Sequence, residues 1–127
     1  MDSKQLKNLK RGDYIWVRPS GTNYIGWISS VICVEPEIVV YSEMYGYDNP
    51  ETLLRTDHEI HFIKDLKEVK PEELKESCYI VIEYLYKEKD RYRADVFNRK
   101  IKDNVLYLNG YEFKYDPSKH ILYKVPR

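Results

Sequence analysis

Residues 39–62 carry the sequence V-V-Y-S-E-M-Y-G-Y-D-N-P-E-T-L-L-R-T-D-H-E-I-H-F, and the fold of the whole chain is best approached from them. The stretch begins in a β-branched segment, 38–41, which predicts a strand. It continues through a segment rich in turn residues that includes Pro50, which predicts a loop. It then reaches an apolar segment at 60–63. We therefore expect a strand, a loop and a second apolar element in this order.

The same stretch is both aromatic and acidic. Between positions 35 and 59 there are seven acidic residues and one basic residue, Arg55, which gives a net charge of −6. Ring faces and carboxylates both attract positive charge, so the pattern suits a surface for cationic ligands. It equally suits tyrosines that pack half-buried beside acids that keep a loop solvated. Composition alone leaves both interpretations open.

Outward from this stretch, short segments of alternating or β-branched residues predict a mostly β protein. Eight strands are predicted, at 14–18, 24–33, 38–41, 78–86, 94–97, 105–108, 111–115 and 121–125. Asn109-Gly110 between two apolar segments predicts a C-terminal β-hairpin. Proline followed by two acids at 71–73 predicts one short helical turn. Many short strands and little helix indicate a barrel or a sandwich.

The bulk composition limits the possible classes of function. The chain has 127 residues and a formal net charge of zero, which predicts a single domain without a global basic field for unspecific nucleic-acid binding. We expect an N-terminal arm at 1–11 and one domain at 12–127. The N-terminus has no apolar run of the signal-peptide type, and no segment has membrane-spanning length, so no membrane partner is expected.

Catalytic and metal-binding motifs are not predicted. His58 and His61 are three residues apart beside a predicted strand, whereas a zinc-protease helix places two histidines four apart. Cys33 and Cys78 are too far apart for a C-x-x-C metal site. The chain also lacks a glycine-rich phosphate loop. We expect a protein that is not an enzyme and that has no cofactor and no metal.

From Gly12 to Phe97 the order and spacing of motifs resemble those of the bromo-adjacent homology (BAH) domain. The corresponding segments are G-D-Y-I-W-V at 12–17, N-Y-I-G-W-I at 23–28, P-E-T at 50–52, E-I-H-F at 59–62 and C-Y-I-V at 78–81. Two features depart from the family pattern. A histidine follows Glu-Ile where the family has an aromatic residue, and the aromatic run before the proline is diluted.

The resemblance implies a distorted, SH3-like β-barrel that reads chromatin. In reader members, including the form in the largest subunit of the origin recognition complex, an aromatic cage holds a methylated lysine of a histone tail. The resemblance therefore implies a nuclear protein with histone tails, nucleosomes and other chromatin proteins as partners, in gene silencing or at replication origins. By this resemblance, Tyr24 and Tyr41 correspond to two cage walls, either Tyr45 or Tyr47 to a third and Phe62 to a fourth. Either Glu43 or Asp48 would supply the carboxylate.

Two alternatives remain open at this stage. Positions 87–103 hold seven basic and four acidic residues, so a small SH3-like or Tudor-like module could contact nucleic acid or nucleosomal DNA through this basic turn. The candidate contacts there are Arg91, Arg93, Arg99 and Lys100. The other alternative is a protein–protein adaptor without a working cage, since strand aromatics such as Tyr24, Tyr41 and Phe62 are more often core residues.

Overall fold

The computed structural model describes residues 6–35, 38–44, 47–53 and 58–126, and of these 41–44 and 47–53 are described by their backbone alone. The chain is mostly β, with 52% strand and 7% helix. It divides into two compact units, 1–65 and 66–127, each built on one antiparallel sheet. The mostly β prediction is confirmed.

The first unit is a five-stranded sheet with the order β4-β3-β2-β1-β5. A 3-10 helix, Ile63–Asp65, follows its last strand. The strands are β1 Tyr14–Pro19, β2 Trp27–Cys33, β3 Val39–Met44, β4 Tyr47–Leu53 and β5 His58–Phe62.

Alternation of side chains gives this sheet two different faces. Ile15 and Val17 of β1 point to one face and pack with apolar residues of β2, β3 and β5. We call this the core face. Leu6 and Leu9 join the same cluster, so two side chains of the expected N-terminal arm belong to the core of this unit. Trp16 lies between Ile15 and Val17 on β1 and therefore points to the opposite side, which we call the Trp16 face.

The second unit is a six-stranded sheet with the order β10-β9-β8-β7-β11-β6. A 3-10 helix, Pro71–Glu73, stands where the sequence predicts a helical turn. The strands are β6 Lys67–Val69, β7 Cys78–Tyr84, β8 Tyr92–Lys102, β9 Val105–Leu108, β10 Glu112–Lys114 and β11 His120–Lys124.

The core of the second unit lies against one face of its central strands. Ile80 and Ile82 of β7, Leu106 of β9 and Leu122 of β11 are fully buried there. The strand β7 reads C-Y-I-V-I-E-Y, and its β-branched residues are typical of a strand that is covered on both sides. The hairpin predicted from Asn109-Gly110 is present as the antiparallel pair β9 and β10.

Several segments differ from the sequence-based expectation. Strand β6 was not predicted, and the apolar element expected at 60–63 is strand β5 followed by a 3-10 helix. The predicted loop after β3 contains strand β4, which includes Pro50. Proline is compatible with a strand here because β4 is an end strand of its sheet and its pairing with β3 is irregular near this point. The basic connection predicted after residue 97 is instead the second half of the eleven-residue strand β8.

The finer prediction of a barrel is not tested by these sheets. Within the described residues, the hydrogen-bonded order of each sheet ends in two strands that do not pair with each other. A single domain over 12–127 likewise stays a prediction.

Candidate functional site

One row of paired positions crosses the whole sheet of the first unit. Trp16 of β1 pairs with Ile28 of β2 on one side and with His61 of β5 on the other. Ile28 pairs with Glu43 of β3, and Glu43 pairs with Asp48 of β4. Directly opposite positions share a face. The register therefore assigns Glu43 and Asp48, two of the predicted site residues, to the Trp16 face.

A neighbouring row adds a tyrosine position to the same face. Ser30 of β2 pairs with Tyr14 of β1 and with Tyr41 of β3. Ser30 lies two residues beyond Ile28 on its strand, and positions two apart point the same way. Tyr41 therefore shares the Trp16 face with the two acidic positions. The Tyr14 side chain, on the same face, is 39% exposed.

The other predicted site residues do not gather on this face. Phe62 pairs with Ile15 and packs against the core cluster, so its position belongs to the core face. Tyr47 pairs with Met44 and is one residue away from Asp48 along β4, which assigns it to the side opposite the acidic positions. Tyr45 lies outside the described residues.

Tyr24 lies in the connection between β1 and β2, and its side chain is 62% exposed. The connection is fixed over Trp16, because the indole Nε1 donates a hydrogen bond of 2.9 Å to the carbonyl oxygen of Ile25. Gly26 has a φ of +74°, and a Cβ there would lie 2.5 Å from Trp16 Nε1. Only glycine fits so close an approach in this backbone conformation. The exposed Tyr24 ring is thus carried on a firmly placed segment.

Beside Trp16, the same face holds a cluster of charged side chains. Arg18 is 2% exposed, and its Nε donates a hydrogen bond of 2.6 Å to Glu59 Oε2. The guanidinium lies over the Trp16 ring, 4.9 Å from the centroid. His61 Nε2 is 3.2 Å from Glu59 Oε1, and its ring stacks on Trp16 at 5.8 Å. The cation is therefore buried between a ring and a carboxylate.

This arrangement lowers the pKa of Glu59. Burial acts to raise the pKa, but the hydrogen bonds from Arg18 and His61 and the charges of both residues outweigh it. Glu59 therefore stays ionised, and its charge is compensated by Arg18. The other carboxylate positions in the rows described above are Glu43 of β3 and Asp48 of β4.

Sequence reasoning missed this cluster. A signal was available, because residues two apart on a strand share a face. Trp16 and Arg18 are two apart on a predicted strand, and Glu59 and His61 are two apart at the start of the apolar segment. What the sequence does not give is the pairing of these two strands, Trp16 with His61 and Arg18 with Glu59.

The four predicted nucleic-acid contacts lie in the second unit and have different surroundings. Arg91 Nε pairs with Glu83 Oε2 at 2.9 Å, and Arg93 Nη2 pairs with Asp95 Oδ2 at 2.9 Å. Arg99 lies over the Tyr107 ring, 5.1 Å from its centroid. A fourth contact joins Lys100 Nζ to the fully exposed Asp103 at 3.5 Å.

Comparison with known proteins supplies no relative. No protein-family model matches the chain, and no curated protein or solved structure matches it. In the part of the chain that is described, no group of three or more His, Cys, Asp or Glu side chains is arranged to hold a metal ion. No described helix is long and apolar enough to cross a membrane.

Proposed function

We propose that the chain is a binding module that takes a cationic peptide, such as a histone tail, at the β3–β4 end of the Trp16 face of its first unit. The observation that carries the proposal is the register of β3 and β4, which places Glu43 directly opposite Asp48. The sequence from Ile38 to Leu54 has no lysine or arginine.

Two acidic residues directly opposite each other on neighbouring strands destabilise a sheet. The row that contains Glu43 and Asp48 continues through Ile28 and Trp16, which offer no charge, to His61 at its far end. A cation bound from outside would relieve the repulsion. The acidic pair therefore lowers the stability of the free protein modestly, and a bound cationic ligand would restore it.

Tyrosines extend the proposal to a methylated lysine. The Tyr41 position shares the face of the acidic pair, and Tyr24 is exposed on the connection that crosses Trp16. A methylated ammonium is weakly hydrated, and ring faces together with carboxylates replace its water. The proposal has three further parts, which rest on the resemblance in sequence. They are a histone tail as the source of this cation, a BAH-like barrel as the complete fold, and a nuclear site of action.

The proposal is tested by measuring the binding of methylated and unmodified histone peptides by fluorescence anisotropy. We expect Glu43→Gln with Asp48→Asn to weaken binding, and Tyr24→Ala to weaken it about 2- to 30-fold, the range of one ring–cation contact. Asp65→Asn with Glu35→Gln is the matched control, because these two exposed acids of the same unit lie outside the rows described above. Equal binding by this control and the Glu43 and Asp48 double variant would refute the proposal.

A second candidate, contact with DNA phosphate, is favoured by the far end of β8. Arg99, Lys100 and Lys102 are all exposed there. Neutralising Arg99 and Lys100 together should weaken binding to an oligonucleotide and reduce its salt dependence. Peptide binding should be unaffected, since these residues are not part of the proposed peptide face.

A further inference from the structure

A second group of aromatic side chains lies in the second unit, around His120. Its imidazole is 7% exposed. Four rings surround it at centroid distances from 4.8 to 6.3 Å, and they come from the end of β7, the turn after it, β10 and the segment before β11. They are Tyr84, Tyr86, Phe113 and Tyr115. We call these four rings with His120 the ring cluster.

The imidazole at the centre is held as an uncharged hydrogen-bond acceptor. The backbone N–H of Asp116 donates to His120 Nδ1 at 3.0 Å, which requires that nitrogen to be unprotonated. Burial lowers the pKa of His120, and the nearby charge of Lys119 adds to this effect while that of Asp116 opposes it. The ring cluster is therefore neutral at its centre near neutral pH.

A cation already lies on the outside of the ring cluster. Lys87 Nζ lies over the Tyr84 ring, 4.4 Å from its centroid. The turn that follows β7 brings it there, since the Lys87 N–H donates to the carbonyl oxygen of Tyr84 at 3.2 Å. Tyr86 lies beside Tyr84 with their planes at 85° and is 61% exposed. Within the described residues Lys87 forms no ion pair with a carboxylate, and its ammonium contacts the Tyr84 ring.

We propose that the face of Tyr84 covered by Lys87 is a binding site for an external alkylammonium ion, which enters by displacing Lys87. A lysine ammonium on a ring face is a direct model of such a ligand, since both are held by the ring quadrupole. A methylated ammonium is the better occupant because it loses less hydration on leaving water. The exposed ring of Tyr86 supplies the adjacent wall.

Lys87 acts in this proposal as a built-in competitor. It is attached three residues from Tyr84, so its effective concentration at the ring is high. Removing its charge should therefore increase the affinity for an external cation. The expected increase for Lys87→Gln is about 2- to 30-fold, which is the range of one ring–cation contact.

The test is a titration with tetramethylammonium chloride, followed through the NMR resonances of His120 and the tyrosine rings. Sodium chloride at equal ionic strength provides the reference, because sodium is strongly hydrated. Lys89→Gln is the matched control. It removes an equal charge from the same connection, and Lys89 does not lie over a ring in the described structure. The proposal expects Lys87→Gln to bind more tightly than both the control and the unaltered chain.

Two ring variants locate the site. Tyr86→Ala, in the background of Lys87→Gln, should weaken tetramethylammonium binding without loss of folding, because the side chain is mostly exposed. Tyr84→Phe keeps the ring face and should bind as before. Resonances that do not move in the Lys87 variant, or equal affinities for the Lys87 and Lys89 variants, would overturn the proposal.

A second titration, with a peptide, distinguishes the source of the cation. A trimethyllysine peptide that binds the Lys87 variant more tightly than tetramethylammonium, and loses this advantage on Tyr86→Ala, would identify a peptide side chain. Affinity for tetramethylammonium alone would identify a small free cation. This site shares no residue with the proposed peptide face, so each proposal can fail without the other.

Discussion

Both units contain a buried arginine–glutamate pair, but the partner that is withdrawn from water differs. In the first unit the Arg18 side chain is 3% exposed and that of Glu59 is 27% exposed. In the second unit the Glu83 side chain is 1% exposed and that of Arg91 is 35% exposed. Glutamate can take up a proton when it loses its partner, whereas arginine cannot release one in a protein. The two pairs should therefore respond very differently to loss of the exposed partner.

The largest effect is expected for Glu59→Gln. The change leaves the Arg18 guanidinium buried with Trp16 and without its carboxylate. Breaking a buried pair in this way should lower the free energy of unfolding by about 3 kcal/mol, the low end for such pairs, because Glu59 is partly exposed.

Urea unfolding monitored by tryptophan fluorescence measures this loss, since Trp16 lies in the cluster. His61→Gln is the control, because it removes the second neighbour of Glu59 and leaves the Arg18 pair intact. A Glu59 variant as stable as the His61 variant would show that the buried cation does not need its carboxylate.

A smaller loss is expected for Arg91→Ala. The remaining Glu83 carboxylate keeps the hydrogen bond of 2.7 Å from the Tyr123 hydroxyl, and Arg91, the partner that is lost, is the more exposed of the two. The loss of stability should therefore be smaller than that of the Glu59 variant. Urea unfolding of both variants measures the difference. A loss as large as that of Glu59→Gln would contradict the expected difference between the two pairs.

The smallest effect is a dependence of stability on pH that belongs to the second unit. Because burial lowers the pKa of His120 below its usual value of 6.5, the unfolded chain takes up this proton at a higher pH than the folded chain does. Stability should therefore fall as the pH drops below about 6.5. Glu59, whose pKa is lowered from 4.5, contributes a separate loss only at more acid pH.

His120→Phe separates these two acid effects. It keeps an aromatic ring in the cluster but removes the titrating group and the hydrogen bond from Asp116. The variant should lose the decline in stability that begins as the pH falls below about 6.5, and it should retain the decline at more acid pH that Glu59 contributes. If the decline in stability below about pH 6.5 is unchanged in this variant, it belongs to a group other than His120.

Local pattern predicted much of the fold, and long-range pairing accounts for the rest. Strands β1 and β7 follow from their alternation or their β-branched residues, and the last hairpin follows from Asn109-Gly110. Strand β4 was missed because Pro50 and its polar neighbours indicate a loop unless the segment is known to be an end strand. The second half of β8 was missed because its residues are charged and exposed on a strand held mainly by β9.

The candidate site was predictable only in its composition. The sequence identifies an acidic tyrosine stretch, but Glu43 and Asp48 become a pair only through the register of β3 with β4. Arg18 and Glu59 are 41 positions apart, and local pattern does not show that their strands are neighbours. For the same reason the ring cluster around His120, whose four rings come from two distant segments, 84–86 and 113–115, could not be predicted.

The end strands of the two sheets determine how easily a strand of another molecule can add to them. A foreign strand that tried to extend the first sheet beyond β4 would meet Pro50, which has no N–H to donate, next to an irregular register. The end strands of the second sheet, β10 and β6, are three residues long and offer little backbone to a neighbour. Both features oppose polymerisation by strand addition at the β4, β10 and β6 edges.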